Sequence, residues 1–362
     1  HTSDLHPHMK DAIRYKQHSP YYPFYMWDAN GNFQYLFTWV DLPSVNYGAK
    51  STRDYLLKAA KYWVQEFDVD GYRCDVAWAI NDLRPEGPAY WQQWRRELKQ
   101  MKPDVFLMAE ADAVHSRYFD AKFDAAYDWS LFSTLRSIVS GTTTIAQLDS
   151  VVQFYQGSGF PAHAQPFRFL ENQDEQRFLE AFGLAKTKLA SAFIFALPGI
   201  PSLYAGQEVG ELTFRGNIRW NDPLNLRTHY KRIIQARRKN AALHSGDYRR
   251  VQNDKPSAVY TVLRRSGSSN AILNYNFSSS QQAVTIQVPI TLLAFDSTAT
   301  FYLNDEVNRI SYQVTGVQLK NYQITVPGNT AQVFILSNEP LTDIAEEEGN
   351  PPAVFTVTQN YP

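Results

Sequence analysis

The sequence predicts an α/β protein built on a parallel sheet, followed by a separate antiparallel β-sandwich. Between about residues 51 and 240, amphipathic helical stretches alternate with short apolar runs, the pattern of repeated β-α units. From about 245 to 338 the pattern changes to the short alternating runs VYTVLRR, NAILNYNF, AVTIQVP and TAQVFIL, divided by Gly, Ser, Asn and Pro turns.

The apolar runs of the first region place strands near 69–75, 105–110, 123–129, 167–171 and 201–205. Helices are expected over 52–66, 88–101, 130–139, 143–156, 177–196 and 226–240, where apolar residues recur at three- and four-residue spacing. Residues 1–47 are rich in Tyr, Phe, Trp, Pro, Asn and Asp without a helical period, and read as an irregular, loop-rich segment. Residues 339–362 carry the acidic run Glu346 to Glu348 and then Pro351 and Pro352, the composition of a linker, before a new apolar strand, AVFTV. Four regions are therefore expected: 1–47, 48–243, 244–338 and 339–362.

Composition narrows the class. A chain of 362 residues that is 44% hydrophobic can bury a large core. With 35 basic and 36 acidic residues, it offers no electrostatic case for nucleic acid or an anionic membrane surface, so the expected partner is neutral. No apolar run reaches the roughly 18 residues of a membrane span, and 188–205 is interrupted by Pro198, Gly199 and Pro201. The single cysteine, Cys74, allows no internal disulfide and reads as a small buried hydrophobe. A first residue His1 in place of Met points to a chain that has been cut or processed.

Three carboxylates, Asp75, Glu110 and Asp174, each follow or end a predicted parallel strand. In a closed α/β barrel those ends share one face, where catalytic groups gather. Alone, each is more simply a helix cap or an ion-pair partner; their coincidence at three strand ends points to one site. Cleaving a glycosidic bond with retention needs a carboxylate to attack the anomeric carbon and a carboxylic acid to protonate the leaving oxygen, about 5–5.5 Å apart. Asp75 and Glu110 could fill those roles.

The surrounding residues carry a resemblance. GYRCDVAW, MAEAD and FLENQDEQR resemble the conserved segments of the α-amylase family that hold the nucleophile, the acid/base and a third catalytic aspartate. HTSDLHP resembles the sequence after the third barrel strand, LPSVNY around Asn46 the segment closing the family's inserted domain B, and LPGIPSLYAGQEVG the eighth strand with its loop. The resemblance covers roughly residues 1–338 in the family's order. It implies a (β/α)8 TIM barrel with a short domain B and a C-terminal β-sandwich, the first three strands being missing from this chain. It also implies that the missing segment, in the same or another chain, is needed to close the barrel.

On this resemblance Asp75 is the nucleophile, Glu110 the general acid/base and Asp174 the transition-state stabiliser. Arg73, on the same side of a period-two strand as Asp75, would keep the nucleophile ionised through a charge-assisted hydrogen bond. Glu110 must be protonated near neutral pH, which apolar surroundings or a neighbouring negative charge would achieve. His1, Trp78, Gln173 and Arg177 complete the expected substrate-binding set, His1 as the last residue of an Asn-His pair. Arg177, Asp112 and Glu208 have an equally good reading as structural ion-pair partners. Tyr21, Tyr22, Phe24, Tyr25, Trp27, Tyr35, Phe37 and Trp39 crowd the domain B-like segment; most should form its own small core, with one or two left to stack on sugars.

Two departures qualify the resemblance. Gln173 stands where many members have a sugar-binding histidine, and an amide can donate a hydrogen bond but carries no positive charge. Trp78 and Ala79 replace a common Lys-His pair, which puts a calcium-linked carbonyl there in doubt; the chemistry itself needs no cofactor. The activity implied is retaining endo-hydrolysis of α-1,4-linked glucans such as starch or maltooligosaccharides. Cyclomaltodextrinase, neopullulanase or glucanotransferase chemistry on the same site is the alternative, with a non-catalytic glycan-binding relative beyond that. FTVTQNYP at the end resembles the start of a type IX secretion sorting domain, which implies an extracellular parent protein.

Overall fold

A computed structural model describes residues 3–39, 42–157, 159–213, 215–293 and 298–342. His1 and the stretch from 343 onward, with its acidic run, proline pair and QNYP motif, lie outside the described residues. The chain divides into two compact units, His1–Arg227 and Thr228–Pro362. The border read from the sequence lies at 243/244.

The first unit opens with a helix where an irregular segment is expected. Helix α1 (Pro7–Tyr15) begins with Pro7 in its first turn and with His6, whose Nδ1 accepts from the His8 N–H at 3.2 Å. It buries Met9 and Ala12, which with Ile13 make a three- and four-residue spacing; that period lasts barely one turn inside a segment otherwise without one. Tyr25 joins them, and Tyr21, Phe24, Trp27 and Phe33 pack against this small core. Tyr35, Phe37 and Trp39 remain exposed. Asn46 fastens the end of the segment to its middle: its side chain donates to the Pro23 carbonyl at 3.0 Å and its N–H to Phe24 O at 2.8 Å.

The β-α units follow in order: α2 (Lys50–Phe67), β1 (Gly71–Cys74), α3 (Ala77–Leu83), α4 (Gly87–Met101), β2 (Phe106–Asp112), β3 (Ala125–Tyr127), α5 (Trp129–Val139), α6 (Ile145–Phe154), β4 (Gln165–Arg168), α7 (Phe178–Ala196) and β5 (Ile200–Pro201). All five strands pair in parallel, in the order β1-β2-β3-β4-β5. Period-two alternation sends the two faces of β2 into different cores. Leu107, Ala109 and Ala111 join Trp91, Trp94 and Leu98 of α4, whereas Met108 joins Tyr127, Phe132 and Phe169. Gly71 lets β1 lie against β2, because a Cβ there would come within 2.1 Å of the Phe106 carbonyl oxygen.

Two strands are shorter than their apolar runs. Phe169, Leu170, Glu171 and Asn172 are buried beyond the end of β4, so the run FRFL reports burial that continues into a loop. Likewise β5 stops at Pro201. The ends of β3 and β4 are tied by a fully buried ion pair, Asp128 with Arg168 at 2.7 Å. Asp128 also accepts from Tyr155 Oη at 2.8 Å and the Leu131 N–H at 2.9 Å, and Arg168 Nε donates to Pro198 O at 2.6 Å. Charges taken out of water need such a set of partners, and here it holds the C-terminal ends of the strands in register. No helix among the described residues is long and apolar enough to cross a membrane.

From the end of the first unit, α8 (Leu226–Lys239) and α9 (Ala241–Ser245) lead into β6 (Asp247–Arg250), β7 (Gln252–Asn253), β8 (Val259–Ser266), β9 (Ser269–Asn276), β10 (Gln282–Gln287), β11 (Thr300–Asp305), β12 (Ile310–Thr315), α10 (Gly316–Leu319), β13 (Tyr322–Val326) and β14 (Thr330–Ser337). These strands form two antiparallel sheets, β12-β11-β14-β9-β8-β6 and β13-β10-β7. Leu263, Ile272, Leu303 and Phe334 of the larger sheet share one core with Val284, Ile286, Ile324 and Val326 of the smaller. This is the β-sandwich expected of 244–338.

Candidate active site

Strand register builds the site. Cys74 of β1 lies opposite Ala109 of β2, so the next residue on each chain, Asp75 and Glu110, emerge side by side at the C-terminal edge of the sheet. Arg73 binds both with one guanidinium: Nη1 donates to Asp75 Oδ1, and Nη2 to Glu110 Oε1 at 2.8 Å. Its Nε also reaches Tyr127 Oη on β3 at 3.4 Å, and the guanidinium lies 5.7 Å from that ring's centre.

The chain then turns sharply. Val76, between Asp75 and α3, adopts φ 47°, a left-handed conformation that a β-branched residue rarely takes and that costs roughly 1–3 kcal/mol. Its N–H donates to Glu110 Oε2 at 2.5 Å. The strain therefore coincides with a contact that fixes the second oxygen of Glu110.

The two carboxylates sit in different surroundings. The Asp75 side chain is 54% exposed and that of Glu110 20%. Burial raises the pKa of Glu110, with the negative charge of Asp75 acting in the same direction; the Val76 N–H and Arg73 oppose it. A carboxyl whose neutral form is favoured by burial, beside one open to solvent, gives the pair two different environments.

Asp174 lies on the loop after β4, not at the end of the strand itself. Its N–H donates to Asn172 Oδ1 at 2.9 Å, Gln173 Nε2 donates to its Oδ2 at 2.8 Å, and Arg215 Nη2 pairs with its Oδ1. The C-terminal ends of β1, β2 and β4 share one edge of the parallel sheet, so Asp75, Glu110 and the Asp174 loop leave the sheet in the same direction.

The remaining expected residues divide. Arg177, expected to bind substrate, is 2% exposed and does not face a cleft. It pairs with Glu171 at 2.8 Å, donates to Thr213 O at 3.0 Å and Ala205 O at 2.9 Å, and lies over the Tyr204 ring. The ion-pair reading describes it: a guanidinium buried among these partners tethers two loops and is closed to a sugar. Trp78 packs against the core below β1 and stacks on Phe37 with ring centres 5.8 Å apart. Asp112 accepts from the Val114 N–H at 3.2 Å, and burial raises its pKa. Glu208 has a buried Oε2 that accepts no hydrogen bond among the described residues. Two residues of the site have no precedent in the sequence reading. Tyr127 falls in a predicted strand, but nothing there marks its hydroxyl as a partner of Arg73. Arg215 is separated from Asp174 by 41 residues and a helix, with no spacing rule to connect them.

Among the described residues no group of three or more His, Cys, Asp or Glu is placed to hold a metal ion. A carboxylate pair on a shared guanidinium, at the C-terminal edge of a parallel sheet served by helical crossovers, is the candidate active site on this β/α scaffold. The family model for the α-amylase catalytic domain matches residues 6–251. The chain belongs to the α-amylase family of glycoside hydrolases. Among its relatives, α-amylase MalA of Haloarcula japonica is 28% identical over 295 residues, which cover 80% of this chain and 43% of that protein. A cyclomaltodextrinase from a Bacillus species is 29% identical over 248 residues, covering 65% of this chain and 43% of that protein. The chain thus spans less than half the length of either. A solved cyclomaltodextrinase structure superposes with a TM-score of 0.79 at 23% identity, covering 93% of this chain and 58% of that one. The fold is a (β/α)8 barrel with a β-rich C-terminal domain, and the described residues supply five of its parallel strands.

Proposed function

We propose that the protein containing this chain is a retaining hydrolase of α-1,4-glucosidic bonds in starch or maltooligosaccharides. The observation that carries the reading is the single guanidinium of Arg73 between an exposed Asp75 and a desolvated Glu110. Two carboxylates bound to one guanidinium favour the separation of about 5–5.5 Å used in retaining cleavage over the roughly 6.5–9.5 Å that leaves room for a water in inverting cleavage.

Glu110, as the acid, protonates the glycosidic oxygen while the Asp75 carboxylate attacks the anomeric carbon, breaking the bond and forming a glycosyl ester on Asp75. Glu110, now a carboxylate, takes a proton from water as its oxygen attacks the same carbon, which frees Asp75 and restores the acid. Asp174 accepts hydrogen bonds from ring hydroxyls, which strengthen as the sugar flattens toward an oxocarbenium-like state. Gln173 supplies a neutral donor beside it. Phe37 and Trp39, exposed and in contact with each other, together with Trp78 beneath Phe37, offer apolar faces for sugar rings.

The missing barrel strands belong to this proposal as well. The outer edge of β1 and the exposed Tyr62, Trp63 and Phe67 on α2 are surfaces that further β-α units of the parent protein would cover. An extracellular location fits a polymeric substrate and the C-terminal resemblance to a sorting domain.

A second reading keeps the site and changes the substrate. The likeness to a cyclomaltodextrinase and the short segment before Asn46 favour cyclodextrin or pullulan, with water or another sugar resolving the ester. Product analysis with the full-length protein separates the two. Mixed maltooligosaccharides from soluble starch, with little preference for cyclodextrin, are expected; faster cleavage of cyclodextrin or pullulan favours the second reading. No release from any of the three by folded protein contradicts both.

A further inference from the structure

Both oxygens of Asp174 are engaged by neighbouring side chains. Arg215 Nη2 pairs with Oδ1 and Gln173 Nε2 donates to Oδ2, while Arg215 Nε donates to the Gln173 carbonyl at 2.7 Å. The guanidinium therefore bridges two consecutive residues and fixes the carboxylate between them. Yet the pair is open to water, with 66% of the Arg215 side chain and 44% of that of Asp174 exposed.

The support of the segment is separate from its tip. Glu211 is buried and accepts from the N–H groups of Leu212 and Thr213 at 3.0 Å and of Arg219 at 2.8 Å. Those bonds anchor the chain on either side of Arg215, so the guanidinium can leave Asp174 by rotating its side chain while the backbone stays in place. Exposed ion pairs are weak and screened by salt, so such a departure costs little.

We propose that Arg215 is a positioning residue that holds Asp174 until glucan displaces it, so that its ion pair competes with substrate for the same carboxylate oxygen. The inference rests on the reading of Asp174 as the residue that accepts sugar hydroxyls. The guanidinium fills one acceptor direction of Oδ1, a hydroxyl that approaches along it must take its place, and neutral sugar offers Arg215 no replacement charge. Arg215 therefore lowers the apparent affinity for glucan, and screening salt relieves it.

Binding of maltoheptaose to the full-length protein, measured by calorimetry in a Glu110→Gln background that slows turnover about 10²–10⁴-fold, tests this apart from catalysis. Arg215→Ala is expected to tighten binding about two- to fivefold, the scale of an exposed ion pair. Raising salt until the Debye length falls from roughly 30 Å to roughly 3 Å should tighten binding to the parent by a similar factor and leave Arg215→Ala unchanged. Arg215→Lys, which keeps the charge, should keep the salt response. Weaker binding in Arg215→Ala, or the same salt response with and without the arginine, overturns the proposal. Absence of turnover in the wild-type protein would count against the hydrolase reading and leave this binding test standing.

Discussion

Asp75→Asn is expected to lower glucan hydrolysis by roughly 10⁴-fold or more, the order of loss found when a covalent nucleophile is removed. The amide cannot form the glycosyl ester, so the two-step route is closed. The substitution also acts on its neighbour. The charge of Asp75 is one of the influences that raise the Glu110 pKa, while Arg73 and the Val76 N–H lower it. Without Asp75 the balance shifts toward ionised Glu110, and the acid is weakened together with the loss of the nucleophile. The fold should survive, because the Asp75 side chain is more than half exposed and the buried ties of the sheet lie elsewhere, at Asp128 and Arg168. Reducing-sugar release alongside a thermal melt checks both statements; near-normal turnover in a folded Asp75→Asn protein would reject the nucleophile.

Glu110→Gln removes the proton donor, for which general acid catalysis sets a loss of about 10²–10⁴-fold. The loss should be largest for natural glucans, whose leaving oxygen needs the proton, and much smaller for an aryl glycoside with a good leaving group. The pH dependence has a definite sign. Burial raises the pKa of Glu110, so kcat/KM falls on the alkaline side as pH rises through a value above the roughly 4.3 of an ordinary glutamate. That limb should vanish in Glu110→Gln. Linkage gives a companion effect: a carboxyl whose folded pKa is raised contributes stability that is present below its unfolded pKa and lost as pH rises through the folded one. A pH–rate profile with the same alkaline limb in both proteins would assign the limb to another group.

Much of the architecture is legible because apolar periodicity and burial coincide in most elements. Helices such as α4 and α5 bury one face, and the run at β2 has buried residues on both faces, while β1 is half-buried throughout. Legibility fails where those two properties separate. FRFL is apolar and buried, but its second half is a loop carrying Glu171 into its pair with Arg177. Helix α1 has the helical spacing Met9, Ala12 and Ile13, but the period ends within nine residues and is hidden by the loop-rich composition around it. At the site, Arg73 and Asp75 are neighbours on one strand, and their contact follows from a two-residue spacing. Arg215 reaches Asp174 only through the path of the chain after β5, and no local pattern encodes it. Arg177 lies on the same loop as Asp174 but is held inward by Glu171, six residues away, and by the carbonyls of Ala205 and Thr213, far from it in sequence.

The central claim is that Asp75 forms a covalent intermediate while Glu110 serves first as acid and then as base. The most direct test is the anomeric configuration of the first product, followed by proton NMR during hydrolysis of maltoheptaose by the full-length protein before mutarotation sets in. The α-anomer is expected to appear first and to decay toward equilibrium. Initial appearance of the β-anomer would mean a single displacement by water and would contradict the assignment of Asp75 as nucleophile.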